Sequence, residues 1–247
     1  MPGDFLNLSS AAHALRVCAE LRRAVAVLEL GPGEHAPRAG SRVEFTNIDG
    51  LIVSGMMTEK KHITRIDTVI KGKVMVSGNV TLEGLKIESD CNTYGIIVMP
   101  IDAPEHEDSA DARMTVRMYK CHASVSDGCG VIVCKRARLV VERCRLSNNT
   151  IGLLVQGPGS GVAVKHCTVV ENHMIGICAE DHGRCDVTGY TRVKDNGQIG
   201  VYSRGLGSVI NVQSGVLRHN KLCDAFSDAG SKCAIGVNAI CDRASQG

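Results

Sequence analysis

Short apolar runs alternate with single glycines and polar turns along this chain, and no run is long. From Tyr94 to Ile240 a glycine followed by apolar residues recurs six times. The copies read Tyr94-Gly95-Ile96-Ile97-Val98, Cys129-Gly130-Val131-Ile132-Val133, Ile151-Gly152-Leu153-Leu154-Val155, Ile175-Gly176-Ile177-Cys178-Ala179, Ile199-Gly200-Val201-Tyr202-Ser203 and Ile235-Gly236-Val237-Asn238-Ala239. Their glycines stand 35, 22, 24, 24 and 36 residues apart. Self-similarity at such a period marks a stack of coils, each burying its apolar interior on the next. Alternate residues of a strand point to opposite sides. The residue after each glycine, and the one two further on, therefore fill the interior. The rung between them faces outward: Ile97, Ile132, Leu154, Cys178, Tyr202 and Asn238. Its first five members are largely apolar, where solvent favours polar side chains.

Two more ladders keep the period. Asn148, Asn172, Asn196 and Asn220 are each 24 residues apart, and Cys121, Cys144 and Cys167 each 23 apart. Asparagine tolerates a left-handed backbone, and stacked amides can bond along an axis. The cysteines read as an interior column of small hydrophobes. Before the regular coils, Ala11, Ala14, Leu15, Cys18 and Leu21 share one face at helical spacing behind Ser9 or Ser10, a capping hydroxyl. The pattern thus predicts a single domain over residues 1–247. An amphipathic capping helix spans 9–23, early coils span 24–90, and regular coils span 91–241 with insertions near 100–113 and 221–234. Only six residues follow Cys241, so the last coil is either closed by the second insertion or stacked on another chain.

Composition narrows the function classes. Aromatic residues make up 3% of the chain, with no Trp, against 44% hydrophobic residues, so the core is aliphatic. Basic and acidic residues nearly cancel, 28 against 26, and the one dense basic patch, Lys135-Arg136-Ala137-Arg138, reads as a solvated turn. Neither nucleic acid nor membrane is expected as a partner. Twelve cysteines without CxxC pairs, behind no evident secretion signal, point to buried thiols in a reducing intracellular compartment. No metal site or cofactor is expected from them.

The sequence resembles the right-handed parallel β-helix superfamily typified by pectin and pectate lyases. The resemblance rests on the helix leading into Ala26-Val27-Leu28-Glu29-Leu30-Gly31-Pro32-Gly33, on Val80-Thr81-Leu82-Glu83-Gly84-Leu85-Lys86-Ile87, and on Asn-x(2–3)-Gly coils. The repeats look most like those of carbohydrate-binding proteins and sugar hydrolases, as in β-helical F-box and SHC-binding proteins. The resemblance implies an all-β, single-stranded right-handed parallel β-helix with 22–24 residues per coil.

Enzymes of that superfamily need clustered acids, and glycosidic hydrolysis needs two positioned carboxylates. The polygalacturonase-like pattern is matched only by Asn92-Thr93-Tyr94, Asp181-His182-Gly183 and Arg192-Val193-Lys194. The first lacks its acid, the Asp-Asp pair is absent, and Asp181 replaces a glycine. The weak catalytic candidates are Glu180, Asp181, His182 and Arg184, with Asp186 and Glu171 nearby. A lyase built on them would call for calcium, which the acidic segment with Asp102, Glu105, Glu107, Asp108 and Asp111 could attract. The stronger expectation is a non-enzymatic interaction or structural module. Its outward rung Ile97, Ile132, Leu154, Cys178 and Tyr202 binds a protein partner or a second copy, as in a virion or other assembly. A polysaccharide lyase, hydrolase or epimerase acting on a glycan is the alternative.

Overall fold

The computed structural model describes residues 27–37, 42–46, 50–60, 63–90, 93–100 and 115–246. The helix expected over 9–23 and the acidic insertion lie outside them. The described chain winds into a solenoid of parallel strands with three faces. Face 1 holds the glycine strands. Its nine strands run from Val43–Phe45 through Val74–Val76, Tyr94–Val98, Cys129–Val133, Ile151–Gln156, Ile175–Glu180, Ile199–Arg204 and Cys223–Ser227 to Ala244–Gln246. Face 2 carries Thr115–Tyr119, Arg138–Glu142, Gly161–Lys165 and Arg184–Thr188, among others. Face 3 carries Leu85–Ser89, His122–Val125, Arg145–Ser147, Thr168–Val170 and Thr191–Lys194. The ten-residue strands Val209–Arg218 and Lys232–Cys241 turn the corner between faces 2 and 3 and join them into one sheet. An antiparallel hairpin, Met57–Lys60 with Ile63–Ile66, interrupts an early coil. Nothing in the periodic pattern announces it.

The interior is aliphatic, as the composition requires. Leu82, Ile96, Val131, Leu153, Ile177 and Val201 are fully buried in one continuous core. Its corners are made by left-handed residues. Lys120, Arg143, His166 and Tyr190 have positive φ, and each precedes a buried Cys121, Cys144, Cys167 or Thr191. The cysteine column is real, with Cys121 N–H donating to Cys144 Sγ at 3.3 Å, and Thr191 extends it by accepting from Cys167 N–H at 3.2 Å. All ten described cysteines are free thiols.

The corner between faces 3 and 1 holds the amide ladder, with one correction. Asn149 occupies the register, not Asn148. Each amide donates from Nδ2 to Oδ1 of the next: Asn149 to Asn172 at 2.8 Å, Asn172 to Asn196 at 2.9 Å, Asn196 to Asn220 at 2.8 Å. Asn148 instead takes the left-handed position before it, with Glu171, Asp195 and His219 in the coils above. The left-handed turn and the stacked amide are thus neighbouring residues, and a run of two asparagines hides which is which. The ladder also explains Gly130, Gly152, Gly176 and Gly200, each of which lies under a ladder asparagine. A Cβ at Gly176 would lie 2.9 Å from Asn196 Nδ2 and 2.6 Å from Gly200 O, so a side chain there would displace the amide above.

The sixth glycine copy is a second correction. Ile235-Gly236-Val237 lies on the strand that turns the corner of faces 2 and 3, and Val237 is fully exposed. The face 1 strand that follows Ile199–Arg204 is Cys223–Ser227, with Ile199 beside Cys223, Val201 beside Ala225 and Tyr202 beside Phe226. The segment 221–234 is therefore coil, not a closing loop. Asp224 stands where the other coils have glycine, because the ladder ends there. Its Oδ1 accepts from Asn220 Nδ2 at 2.8 Å and from Asn220 N–H at 3.1 Å, and its Oδ2 from Arg243 N–H at 3.1 Å. A buried carboxyl group thus closes the hydrogen-bond chain by accepting all three of these bonds.

Candidate functional site

Strand register brings the outward rung of face 1 into a single column. Met75, Ile97, Ile132, Leu154, Cys178, Tyr202 and Phe226 are successive register partners. Asn238 does not belong to it. Met75 and Phe226 extend the rung expected from the sequence; both lie where the glycine pattern fails, so only the register reveals them. Ile97, Ile132, Leu154, Tyr202 and Phe226 are half-buried, whereas Met75 is buried and Cys178 has no exposed surface at all. Cys178 is thus packing beneath the strip rather than contact surface, and burial pushes its thiol well above the usual range. A second column stands beside the first: Tyr94, Cys129, Ile151, Ile175, Ile199 and Cys223. From Ile97 to Phe226, six rungs at strand spacing give an apolar strip about 24 Å long, interrupted at the buried Cys178.

Polar groups border the strip and are paired among themselves. The Tyr202 ring tilts against Phe226 at 5.5 Å between centroids. Its hydroxyl donates to Asp228 Oδ2 at 2.8 Å. Burial, with that carboxylate, pushes the phenol up to about 12. Arg204 Nη2 meets Glu180 Oε1 at 2.5 Å. Gln156, Glu180 and Arg204 are stacked in register, so the position above Glu180 holds a cation and the one below an amide. No second carboxylate adjoins it in that column.

The catalytic candidates beyond Glu180 sit on the next corner. Asp181 and His182 are successive left-handed residues, φ 47° and 68°, at the centre of a turn closed by Gly183 N–H donating to Glu180 O at 2.9 Å. Two positive φ values in a row define the type I′ turn, in which Asp is well suited. Lys135 and Arg136 hold the same conformation on an earlier coil, so the geometry belongs to the architecture. His182 N–H is bonded to the coil above, to Leu206 O at 3.0 Å and Ser208 Oγ at 3.2 Å. The Asp181 and His182 side chains lie against Gly205 and Gly207 of that coil, where a Cβ would clash with them. Both are exposed, as are Arg184 and Asp186 on face 2. Asp186 is bonded by Asn211 Nδ2 at 2.9 Å. Glu171 lies on a different corner, paired with Arg145 at 2.8 Å. The structure therefore brings Asp181 and His182 into one turn, and none of the described candidates sets a second carboxylate across a common cleft from them. Among the described residues no three His, Cys, Asp or Glu side chains group to hold a metal ion.

Comparison with known proteins supports the architecture. A family model described as a right handed beta helix region matches residues 46–191, more than half of the chain. Among solved structures, pectate lyase Pel9A aligns with a TM-score of 0.56 at 12% identity, covering 95% of this chain and 73% of that one. The A-module of mannuronan C-5 epimerase AlgE6 from Azotobacter vinelandii aligns with a TM-score of 0.38 at 12% identity, covering 99% and 97%. No curated protein matches the sequence. At 12% identity the lyase likeness is one of fold, and a fold of this kind hosts unrelated activities. Parallel coils, an aliphatic core and stacked corner ladders, together with the family match, identify the chain as a member of the right-handed β-helix family.

Proposed function

We propose that the chain is a non-catalytic binding scaffold whose face 1 strip receives an apolar segment of a protein partner. The observation that carries this reading is the in-register outward column from Ile97 to Phe226 on a face where solvent would favour polar residues. The dimensions suit one amphipathic helix. At 1.5 Å per residue a helix of about 16 residues matches a strip of about 24 Å, and helix-in-groove docking on apolar anchors is a recurrent recognition mode. Glu180 with Arg204, and Tyr202 with Asp228, leave the border electrostatically satisfied, so the partner needs apolar anchors more than charge.

The test is selection of a displayed library of helical peptides on the native chain, then titration of the enriched peptides. Binders with apolar residues at i, i+3, i+4 and i+7 are expected, with affinity lost in Leu154→Asp and in Ile132→Asp. Both variants should melt within a few degrees of the native chain. No enrichment, or binding indifferent to both substitutions, refutes the proposal.

A second reading is favoured by the shared fold with a pectate lyase: a polysaccharide-active site around Asp181 and His182. Assays for unsaturated uronate and reducing ends over a panel of polyanionic glycans, with and without calcium, separate the two. Turnover abolished by His182→Ala would replace the scaffold reading with this one.

A further inference from the structure

Face 1 carries a third outward column, two residues beyond the apolar rung on each strand: Met99, Cys134, Gln156, Glu180, Arg204 and Asp228. Met99 and Cys134, on the earlier coils, are apolar and half-buried, and the members on the later coils are polar. The opposite edge, where the chain arrives from face 3, has the reverse order. Thr150, Met174, Gln198 and Leu222 stand one above another there, with Met174, Gln198 and Leu222 N–H each donating to the carbonyl of the residue below. Met174 is 39% exposed and Leu222 63%, both on the later coils. On the earliest coils that edge holds Lys73, its ammonium 5.5 Å from the Tyr94 ring centroid. The apolar surface therefore crosses face 1 obliquely, from Met99 and Cys134 to Met174 and Leu222. Lys73 flanks it on one side, and Glu180 with Arg204 and Asp228 on the other.

We propose that the partner helix lies along this oblique band, inclined by about 40° to the solenoid axis, with its acidic side chains on the flank facing Lys73. This rests on the apolar strip as the binding surface and adds the path and direction of what it binds. Met99 and Leu222 are separated by about 24 Å along the axis and about 20 Å across it, so the band is about 31 Å long. A helix of about 21 residues spans it. At a helix diameter of about 10 Å the footprint is about 300 Å2, the size at which apolar patches on monomers are often functional. A helix laid along the axis would leave Met99, Met174 and Leu222 in water. It would also press a flank on the Glu180–Arg204 pair and strip water from charged groups, which is costly. The oblique path covers those three side chains and clears the pair. Leu206, 69% exposed, lies beyond Arg204 and off the band. Turning a helix end for end on one face exchanges its flanks, so the charge at Lys73 also fixes its direction.

Helical peptides selected on the 247-residue chain supply the test. Affinity should rise on lengthening a peptide from about 16 to about 21 residues. Leu222→Asp and Met99→Asp should each weaken binding on the order of 10-fold, and Leu206→Asp, at an exposed leucine off the band, by less than about twofold. Photocross-linking on the unaltered chain removes any dependence on how the variants fold. A benzophenone at one end of the peptide should label Met99 or Cys134, and at the other end Met174 or Leu222. Exchanging the acidic and basic residues of the two flanks should swap those ends. Labels at Leu206 or Lys73, or ends that do not swap, overturn the proposal. So does binding lost in Leu154→Asp yet indifferent to Met99→Asp and Leu222→Asp, an outcome that leaves the apolar strip itself standing. No enrichment, or indifference to Leu154→Asp, removes the strip and the oblique path together.

Discussion

Faces 1 and 3 share a corner, a core and a strand spacing, yet present opposite chemistry to solvent. Outward from face 3 stand mostly polar side chains, Lys71, Lys86, Glu88, His122, Arg145 and Arg192, with Val69 and Val216 among them. Glu88 is held between Lys71, at 2.5 Å, and Lys86, and its carboxyl sits below the usual range because both ammonium groups bond it. Outward from face 1, at equivalent strand positions, stand Ile132, Leu154, Tyr202 and Phe226. Folding does not demand this difference, since both faces pack equally well inward. The polar face shows what a solvated solenoid surface looks like, and the apolar face departs from it. That departure is what supports the proposed binding role of the strip over one for the corner turn.

The comparison can be broken at the shared corner. Asn196→Leu removes the acceptor for Asn172 Nδ2 and for Asn172 N–H, and the donor to Val169 O. Leaving several buried polar groups unpaired should cost about 3–5 kcal/mol in urea unfolding, with both faces lost together. Next comes a pair of adjacent residues. Leu153→Ala, inward and fully buried, should cost about 2–4 kcal/mol. Leu154→Ala, outward, should cost no more than about 1 kcal/mol while weakening the selected peptides. Equal destabilisation by the two would mean that the strip is buried core rather than surface.

Face 3 offers a pH contrast. Burial, then the charges of Lys86 and Arg145, lowers the His122 imidazole to about 4, and it bonds Ser147 Oγ at 2.9 Å. A histidine lowered from 6.5 takes up its proton more readily in the unfolded chain. Its contribution is complete above pH 6.5 and is lost as the pH falls from 6.5 towards 4, by about 1–2 kcal/mol after allowance for solvent screening. His122→Gln should flatten that part of the stability profile, measured by urea unfolding between pH 7 and pH 4.5. The smallest effect is expected from Arg145→Ala, whose ion pair with Glu171 is solvent-exposed at both ends. It should change stability by less than about 1 kcal/mol at low salt and not at all at high salt.

Much of this was readable without coordinates, and the misreadings have physical causes. The recurring glycine, the inward residues flanking it and the outward rung from Ile97 to Tyr202 follow from a two-residue strand period inside a coil period. The sixth copy was misplaced because the glycine answers to the asparagine above it. At the end of the ladder no amide lies above, so Asp224 replaces glycine, and Ile235-Gly236-Val237 matches the motif without sharing its environment. Asn148 and Asn149 are indistinguishable by spacing, since the coils are 23 or 24 residues long and both residues suit the corner. Asp181 and His182 look like a motif remnant in one dimension; in three they are the central residues of a turn that Lys135 and Arg136 repeat.

The sequence by itself determined the repeat, the aliphatic interior and the apolar rung, because periodicity along a chain is enough to assign sides. Only the tertiary structure decided which rungs align. Register arises from pairing between coils, and that pairing carried the column on to Met75 and Phe226 and ended the amide ladder on a buried carboxyl group. It likewise placed Ile235-Gly236-Val237 on the strand that turns the corner of faces 2 and 3 rather than on face 1.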